Sequence, residues 1–189
     1  MKKNFGPKPL VYPTPVLVVS TYDKDGRPNA MTAAWGGICC SSPLCVSVSL
    51  RKATYTYSSM VEKKAFVINI PSEANVKEAD FFGIVSAKEE DKFMKTGLTP
   101  VKSEFVDAPY IVEFPINLEC KLIQRNDLGL HTQFIGEVVN AKMDSSVQEE
   151  GDQPVIEQIR PLLFAPNDTF YYSIGRQIAR AFSIGRDIK

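Results

Sequence analysis

One histidine, His131, and one tryptophan, Trp35, are all that 189 residues contain of these two types. A single imidazole rules out a multi-histidine metal centre within one subunit, and a Ser-His-Asp triad would have only that residue to form around. Cysteine is sparse but clustered: Cys39, Cys40 and Cys45 fall within seven residues, and Cys120 stands apart. None shows the paired C-x-x-C spacing of a zinc site, and adjacent cysteines do not readily bridge each other, so no metal is expected. They read as reduced, partly buried packing residues, with a thiol acting beside a redox cofactor as the sharper alternative. In a regular strand Cys39 and Cys40 would point to opposite faces.

Net charge is missing too. Lys and Arg total 22 and so do Asp and Glu, which removes any global attraction to nucleic acid or an anionic membrane. No apolar run approaches the ~18 residues of a membrane span. Met1-Lys2-Lys3 is basic, but Asn4-Phe5-Gly6-Pro7-Lys8-Pro9 follows where a secretory leader would need its apolar stretch. A cytoplasmic protein with no nucleic-acid or membrane partner is expected. Walker loops, G-x-S-x-G elbows and H-E-x-x-H helices are absent, and no G-x-G-x-x-G follows a strand. Hydrolytic, phosphoryl-transfer and Rossmann chemistries therefore have no foothold.

What is present is an ordinary globular balance, 44% hydrophobic and 23% charged, long enough to bury a core without staples. No low-complexity or charged linker divides the chain, so one domain is expected over 1–189. Val16 to Tyr22 is β-branched and aromatic enough for a strand, Asp23-Lys24-Asp25-Gly26 supplies an Asp-Gly turn, and Arg27 to Ala34 returns. Cys45 to Leu50 alternates strictly, with Val46, Val48 and Leu50 on one face. Tyr55 to Lys63 reads as a helix and Ala65 to Ile70 as a strand stopped by Pro71. Short helices are expected over Asn75 to Phe82 and Glu89 to Lys95, the second closed by Gly97. Ile116 to Leu122 and His131 to Lys142 form a second hairpin around Leu128-Gly129. Many strands with a few late helices predict a mainly β fold, a β-barrel with helical insertions. The tail repeats Ser173-Ile174-Gly175-Arg176 as Ser183-Ile184-Gly185-Arg186. One echo is no solenoid, and it reads as a tail packing on the barrel or on a partner subunit.

Two segments have the composition of a binding site. Small residues flank Trp35 in Asn29-Ala30-Met31-Thr32-Ala33-Ala34-Trp35-Gly36-Gly37, letting backbone approach a flat ligand; a glycine-rich turn with a packed tryptophan is the plainer reading. Ser49-Leu50-Arg51-Lys52-Ala53-Thr54-Tyr55-Thr56 leaves a strand and enters a helix with hydroxyls and two cations at the junction. A helix N-terminus suits a phosphate, although Thr54 or Thr56 could equally cap the helix and the cations could be solvated.

The order of several short motifs carries a resemblance. Asn29-Ala30-Met31-Thr32, then Ser42-Pro43-Leu44 before a strand ending Ser49-Leu50-Arg51-Lys52, then Thr56-Tyr57, resembles the flavin reductase-like split-barrel family. Asp91-Lys92-Phe93 with Gly97-Leu98, and His131-Thr132-Gln133-Phe134-Ile135-Gly136-Glu137-Val138, are similar as well. The tail Tyr172-Ser173-Ile174-Gly175 with Ala181-Phe182-Ser183 resembles the flavoredoxin branch. The match runs from about Pro13 to Gly185. It implies one FMN-binding split-barrel domain, core about 13–165 and tail 166–189, acting as a homodimer with flavin near the subunit interface.

Carried over position by position, the resemblance places Asn29, Met31, Thr32 and Trp35 along the flavin, and Ser49, Arg51, Lys52 and Thr56 by the ribityl chain and phosphate. Lys92 and His131 would bond polar atoms of the cofactor, and Phe164 would pack near the ring. The departure is Ala33-Ala34-Trp35, where many relatives carry serines and a phenylalanine. Trp35 and Phe164 suit a flat apolar ring, and Lys92 or His131 could tune a reduced flavin that gathers negative charge. The implied activity is electron transfer between a reduced donor, NAD(P)H or a redox protein, and an acceptor through bound FMN. An NAD(P)H:flavin oxidoreductase serving a partner monooxygenase, or a non-catalytic flavin store, are the alternatives; no residue is singled out as catalytic.

Overall fold

The computed structural model describes residues 1–147 and 153–188. Strands β1 (Thr14–Pro15), β2 (Leu17–Tyr22), β3 (Pro28–Ala33), β4 (Gly36–Ser41) and β5 (Leu44–Arg51) come first, followed by helix α1 (Tyr55–Lys63) and strand β6 (Ala65–Ile70). Helices α2 (Val76–Ile84) and α3 (Lys92–Thr96) precede β7 (Pro100–Lys102), β8 (Pro109–Ile111), β9 (Ile116–Asp127) and β10 (His131–Met143). Helix α4 (Ile156–Ile159), β11 (Leu163–Ala165) and β12 (Phe170–Tyr172) follow. The expected mainly β fold with helical insertions is what forms.

Seven strands make one antiparallel sheet in the order β3-β2-β6-β9-β10-β5-β4. Its two edges, β3 and β4, are consecutive in the chain, so Ala34-Trp35 carries the backbone across the gap and the sheet curls into a split barrel. The crossing is tight. A Cβ on Gly36 would lie 2.5 Å from the Ser47 carbonyl oxygen and 2.8 Å from Leu17 Cδ1, so only glycine fits between β2 and β5 there.

Alternation along each strand sorts side chains between two cores. Val46, Val48 and Leu50 of β5 point into the barrel with Phe66, Phe134 and Leu17, and Met60 of α1 plugs one end. Val16, Val18 and Ala30 pack outward beneath Ala79 and Phe82 of α2 and Phe93 of α3. Asn69 pins the elements together: its Nδ2 donates to Val18 O at 2.9 Å and Ser20 Oγ at 2.8 Å, and its Oδ1 accepts from Ile111 N and Asn117 Nδ2, both at 2.9 Å.

The first hairpin turns at Gly26, φ +78°, with Asp23 Oδ1 accepting from Asp25 N and Arg27 N at 2.9 Å each. The helix expected over Glu89 to Lys95 instead begins at Lys92. Asp91 caps it by accepting from Met94 N at 3.1 Å, while Glu89 N and Glu90 N donate to Ser86 O in a preceding turn. Gly97, φ +72°, closes it as expected. Helix α2 runs two residues past Phe82, to Ile84, and a 3-10 turn over Glu73–Asn75 precedes it. Gly36 and Gly37, read as a turn, open β4, and β9 continues to Asp127. Between Ile38 and Cys40 the β4–β5 pairing shifts register, so Cys39 is the extra residue of a β-bulge and the opposite-face expectation for Cys39 and Cys40 fails there. Among the described residues no helix is long and apolar enough to cross a membrane.

Candidate functional site

A groove runs along edge strand β3 as three adjoining cavities. The central one, about 290 Å³, lies between the N-terminus of α1 and Gly83–Ala87, the last residues of α2 and the start of its link to α3. Met31, Arg51, Thr56 and Lys92 line it. A polar cavity of about 110 Å³ shares its Tyr55, Ala87 and Lys92 walls and adds Asn29. A third, about 300 Å³, shares Gly83 and Ile84 and is lined by Thr32 and Phe164.

Lys92 is the most unusual group in the groove. It opens α3, where the helix dipole disfavours a cation, and is only 4% exposed. Its Nζ donates to Phe82 O at 3.3 Å and stands 5.6 Å from the Phe82 ring centre. Among the described residues no carboxylate lies within 4.0 Å of it. Burial pushes its ammonium down to about 8. An uncompensated buried cation on a cavity wall attracts an anion.

Thr56 and Asn29 form the adjoining polar wall. Asn29 Nδ2 donates to Thr56 Oγ1 at 2.8 Å, leaving the Thr56 hydroxyl proton for another acceptor. Asn29 Oδ1 is buried with no partner among the described residues, an acceptor waiting for a donor. Thr54 does not cap α1; its hydroxyl donates to Arg51 O at 2.9 Å, and of the first-turn amides Tyr57 N donates to Thr54 O at 3.2 Å, which leaves those of Tyr55 and Thr56 beside the cavity.

At the other end the groove is less polar. Phe164 stacks at a tilt against Tyr171, ring centres 5.7 Å apart. Tyr171 donates to Asp80 Oδ1 at 2.9 Å, and burial, reinforced by that carboxylate, pushes its phenol up to about 12. Thr32 commits its hydroxyl to Ala79 O, tying β3 to α2.

The remaining expected residues lie on the adjacent outer sheet face. Ser49 N donates to Trp35 O at 2.8 Å, and Ser49 and Arg51 sit opposite Gln133 and His131 of β10. Trp35 is 40% exposed. The structure thus gathers Asn29, Met31, Thr32, Arg51, Thr56, Lys92 and Phe164 around the groove, and Trp35, Ser49 and His131 beside it, with Arg51 common to both. Lys52 lines none of these cavities; it is paired with Asp127 at the end of β9.

Tyr55 and Gly83–Ala87 also shape the groove, and sequence reasoning passed over both. The small residues after α2 were the available signal, since they let a ligand reach the backbone. Tyr55 donates to Asp23 Oδ2 at 2.9 Å. Burial pushes the Asp23 carboxyl up, but the hydrogen bonds from Arg27, Tyr55 and Asp25 outweigh it and hold the group below its ordinary range. The arrangement has a cationic, hydroxyl-lined pole at Lys92 and an aromatic pole at Phe164, which fits a long ligand with one anionic and one apolar end. No cluster of metal ligands occurs among the described residues.

Residues 10–172 match the model of the flavin reductase like domain. The chain belongs to this family. Its structure is similar to flavoredoxin of Desulfovibrio vulgaris (Miyazaki F), with 53% identity, a TM-score of 0.94 and coverage of 98% of this chain and 100% of that one. It is also similar to a flavoredoxin from Methanosarcina acetivorans, at 27% identity and TM-score 0.93 with both chains fully covered. A curated relative is the ferric-chelate reductase (NAD(P)H) of Archaeoglobus fulgidus, 28% identical over 133 residues, covering 67% of this chain and 75% of that protein. The split-barrel architecture expected from the motif order is that of these neighbours.

Proposed function

We propose that this protein is an FMN-binding electron-transfer flavoprotein of flavoredoxin type. The observation that carries the reading is Lys92: a buried ammonium without a counter-ion among the described residues, in one cavity with Arg51, Thr56 and the start of α1. The FMN phosphate fits that pole. Lys92 and Arg51 neutralise it, Thr56 donates its hydroxyl proton, and Asn29 Oδ1 accepts from a ribityl hydroxyl. Met31 and Phe164 shield the apolar ring, with Trp35, Ser49 and His131 on the neighbouring face. Bound flavin supplies the reversible one- and two-electron chemistry; the chain binds it, orients it and sets its electrostatics.

A homodimer completes this reading. Trp35 stands half-open on the outer face, and Ile178 and Phe182 of the tail are 93% and 97% exposed. A second subunit covering both would enclose the flavin between chains. Electrons would come from NAD(P)H or a redox protein.

The groove's open side supports a second reading, an NAD(P)H:flavin oxidoreductase that exchanges its flavin and passes it on reduced. Purified protein should be yellow and keep FMN through gel filtration as a species of about twice 21.0 kDa. Stopped-flow mixing with NADH and NADPH then tests the donor. Flavin lost on the column but turned over with NAD(P)H would favour the exchanging reductase; bound flavin that no donor reduces would leave a storage protein. Colourless protein that also fails to bind added FMN would refute flavin binding outright.

A further inference from the structure

Three of the four cysteines converge at one place on the barrel edge. Cys40 of β4 and Cys45 of β5 are directly opposed across the hairpin, and the bulge at Cys39 sets a second thiol against the same partner. Directly opposed residues of an antiparallel pair have Cα atoms about 4.5–5.5 Å apart, inside the disulfide range of about 4.4–6.8 Å. Cys40 is exposed while Cys45 is buried, so an oxidant in solvent meets one sulfur with its partner immediately behind it. Burial pushes the Cys45 thiol up, and the neighbouring Cys40 and Cys39 sulfurs and the Glu137 carboxylate push it further. Glu137 stands opposite Cys45 on the other flanking strand, β10. Cys120 differs: it is buried in the barrel core, and its thiol is pushed up to about 12, chiefly by burial.

We propose that Cys40 and Cys45 form a peroxide-oxidisable dithiol site, in which Cys40 is the attacking thiol and Cys45 resolves it to an intramolecular disulfide. The Cys40 thiolate attacks one peroxide oxygen; the O–O bond breaks, a sulfenic acid forms and, with the thiol proton, one water leaves. The Cys45 sulfur then attacks the Cys40 sulfur. An S–S bond forms, the S–O bond breaks, and the departing hydroxide leaves as a second water with the Cys45 proton, which Glu137 is placed to relay. Two thiols lose two electrons and one peroxide gains them, so hydrogen peroxide and the dithiol give the disulfide and two waters. Cys40 Sγ donates weakly to Ser42 O at 3.5 Å in the reduced state, a contact the disulfide replaces. Only Ser41 to Leu44 separate the two cysteines, and closing so short a loop removes little chain entropy. The bond should therefore be readily reduced again.

The test needs no flavin, so it is decided separately from the function proposed above. Reduced full-length protein is treated with stoichiometric hydrogen peroxide, and remaining thiols are trapped with a maleimide. The expected product is a chain not cross-linked to another that has lost two thiols and two hydrogens. Trypsin leaves all three clustered cysteines in one peptide, so a further cut after Leu44 is needed; the two halves should remain joined through Cys40. Cys39→Ser should behave as wild type. Cys40→Ser should form no disulfide, and Cys45→Ala should leave Cys40 as a sulfenic acid trappable by dimedone. Because Cys40 is exposed, Cys40→Ser tests the site without disturbing the core. A disulfide that persists in Cys40→Ser, one that joins two chains, or independent oxidation of single thiols to sulfinic acids would overturn the assignment.

Discussion

Lys92 gives the sharpest quantitative expectation. Its ammonium is held down at about 8 by burial, and nothing acidic among the described residues relieves it. Binding a phosphate there supplies the missing counter-charge and restores the ordinary affinity for the proton, so binding takes up a proton near and above pH 8. If only the charged form accepts the phosphate, FMN affinity follows the charged fraction of the apoprotein. That fraction falls about ten-fold from pH 7 to pH 9, hence about 1.4 kcal/mol of binding free energy. Riboflavin lacks the phosphate and should show no such slope. Isothermal titration of both ligands across this range, in buffers of different ionisation enthalpy, measures the affinities and the proton uptake together. Lys92→Met should bind FMN more weakly at pH 7 and lose the slope. In the apoprotein the sign runs the other way: the lowered folded-state value penalises folding below pH 8, and the penalty fades as pH rises toward 10.5. Lys92→Met should therefore stabilise apoprotein at pH 7 by at most about 3 kcal/mol, the cost of holding the ammonium at about 8 and not 10.5. Parallel pH dependence for FMN and riboflavin would show that Lys92 does not face the phosphate.

Thr56→Ala should cost about ten-fold or more in FMN affinity, one charge-assisted hydrogen bond, and much less with riboflavin; equal losses would mean the residue acts through the fold. Gly36→Ala forces a Cβ against Ser47 O and Leu17 Cδ1 and should cost about 1–3 kcal/mol of stability, read as a lower denaturation midpoint; an unchanged midpoint would show that the split relaxes freely. Trp35 is the only tryptophan, so FMN added to apoprotein should quench its emission strongly. Unchanged emission at saturating FMN would move the ring away from that face.

The strands that proved legible in the sequence are those whose pattern is set by one buried face. β5 alternates because Val46, Val48 and Leu50 enter the barrel core, and β10 pairs with β9 over Thr132 to Met143 and with β5 over His131 to Glu137. The Asp-Gly turn was legible because its hydrogen bonds are local, Asp23 to Asp25 and Arg27. β4 was not: two glycines and a bulge erase its alternation, and as an edge strand it leaves Ile38 exposed. The short strands β1 and β11 were out of reach for a different reason. Thr14 pairs with Phe164, and neither segment carries a pattern that announces a partner 150 residues away.

The site divides along the same line. Its residue types were legible from motif order, but which cation is free is a tertiary fact. In sequence, Arg51-Lys52 at a helix start looks like the phosphate pair, and Lys92 stands beside Glu90 and Asp91. The fold splits the pair: Arg51 lines the groove. Lys52 reaches across to Asp127 and is paired outside the groove. Asp91 spends its carboxylate on Met94 N to cap α3, and Glu90 pairs with Lys95 at 3.4 Å. Lys92 lines the polar cavity together with Glu90 and Asp91, yet among the described residues no carboxylate lies within 4.0 Å of its ammonium, which sits under Phe82. Capping chemistry thus sets up the electrostatics of the groove: because Asp91 satisfies the helix, it cannot satisfy the lysine. Replacing Asp91 by Asn, which caps nearly as well without the charge, should leave the Lys92 titration almost unmoved. A substantial shift in the FMN pH profile of Asp91→Asn would place the acid nearer the ammonium than the fold allows.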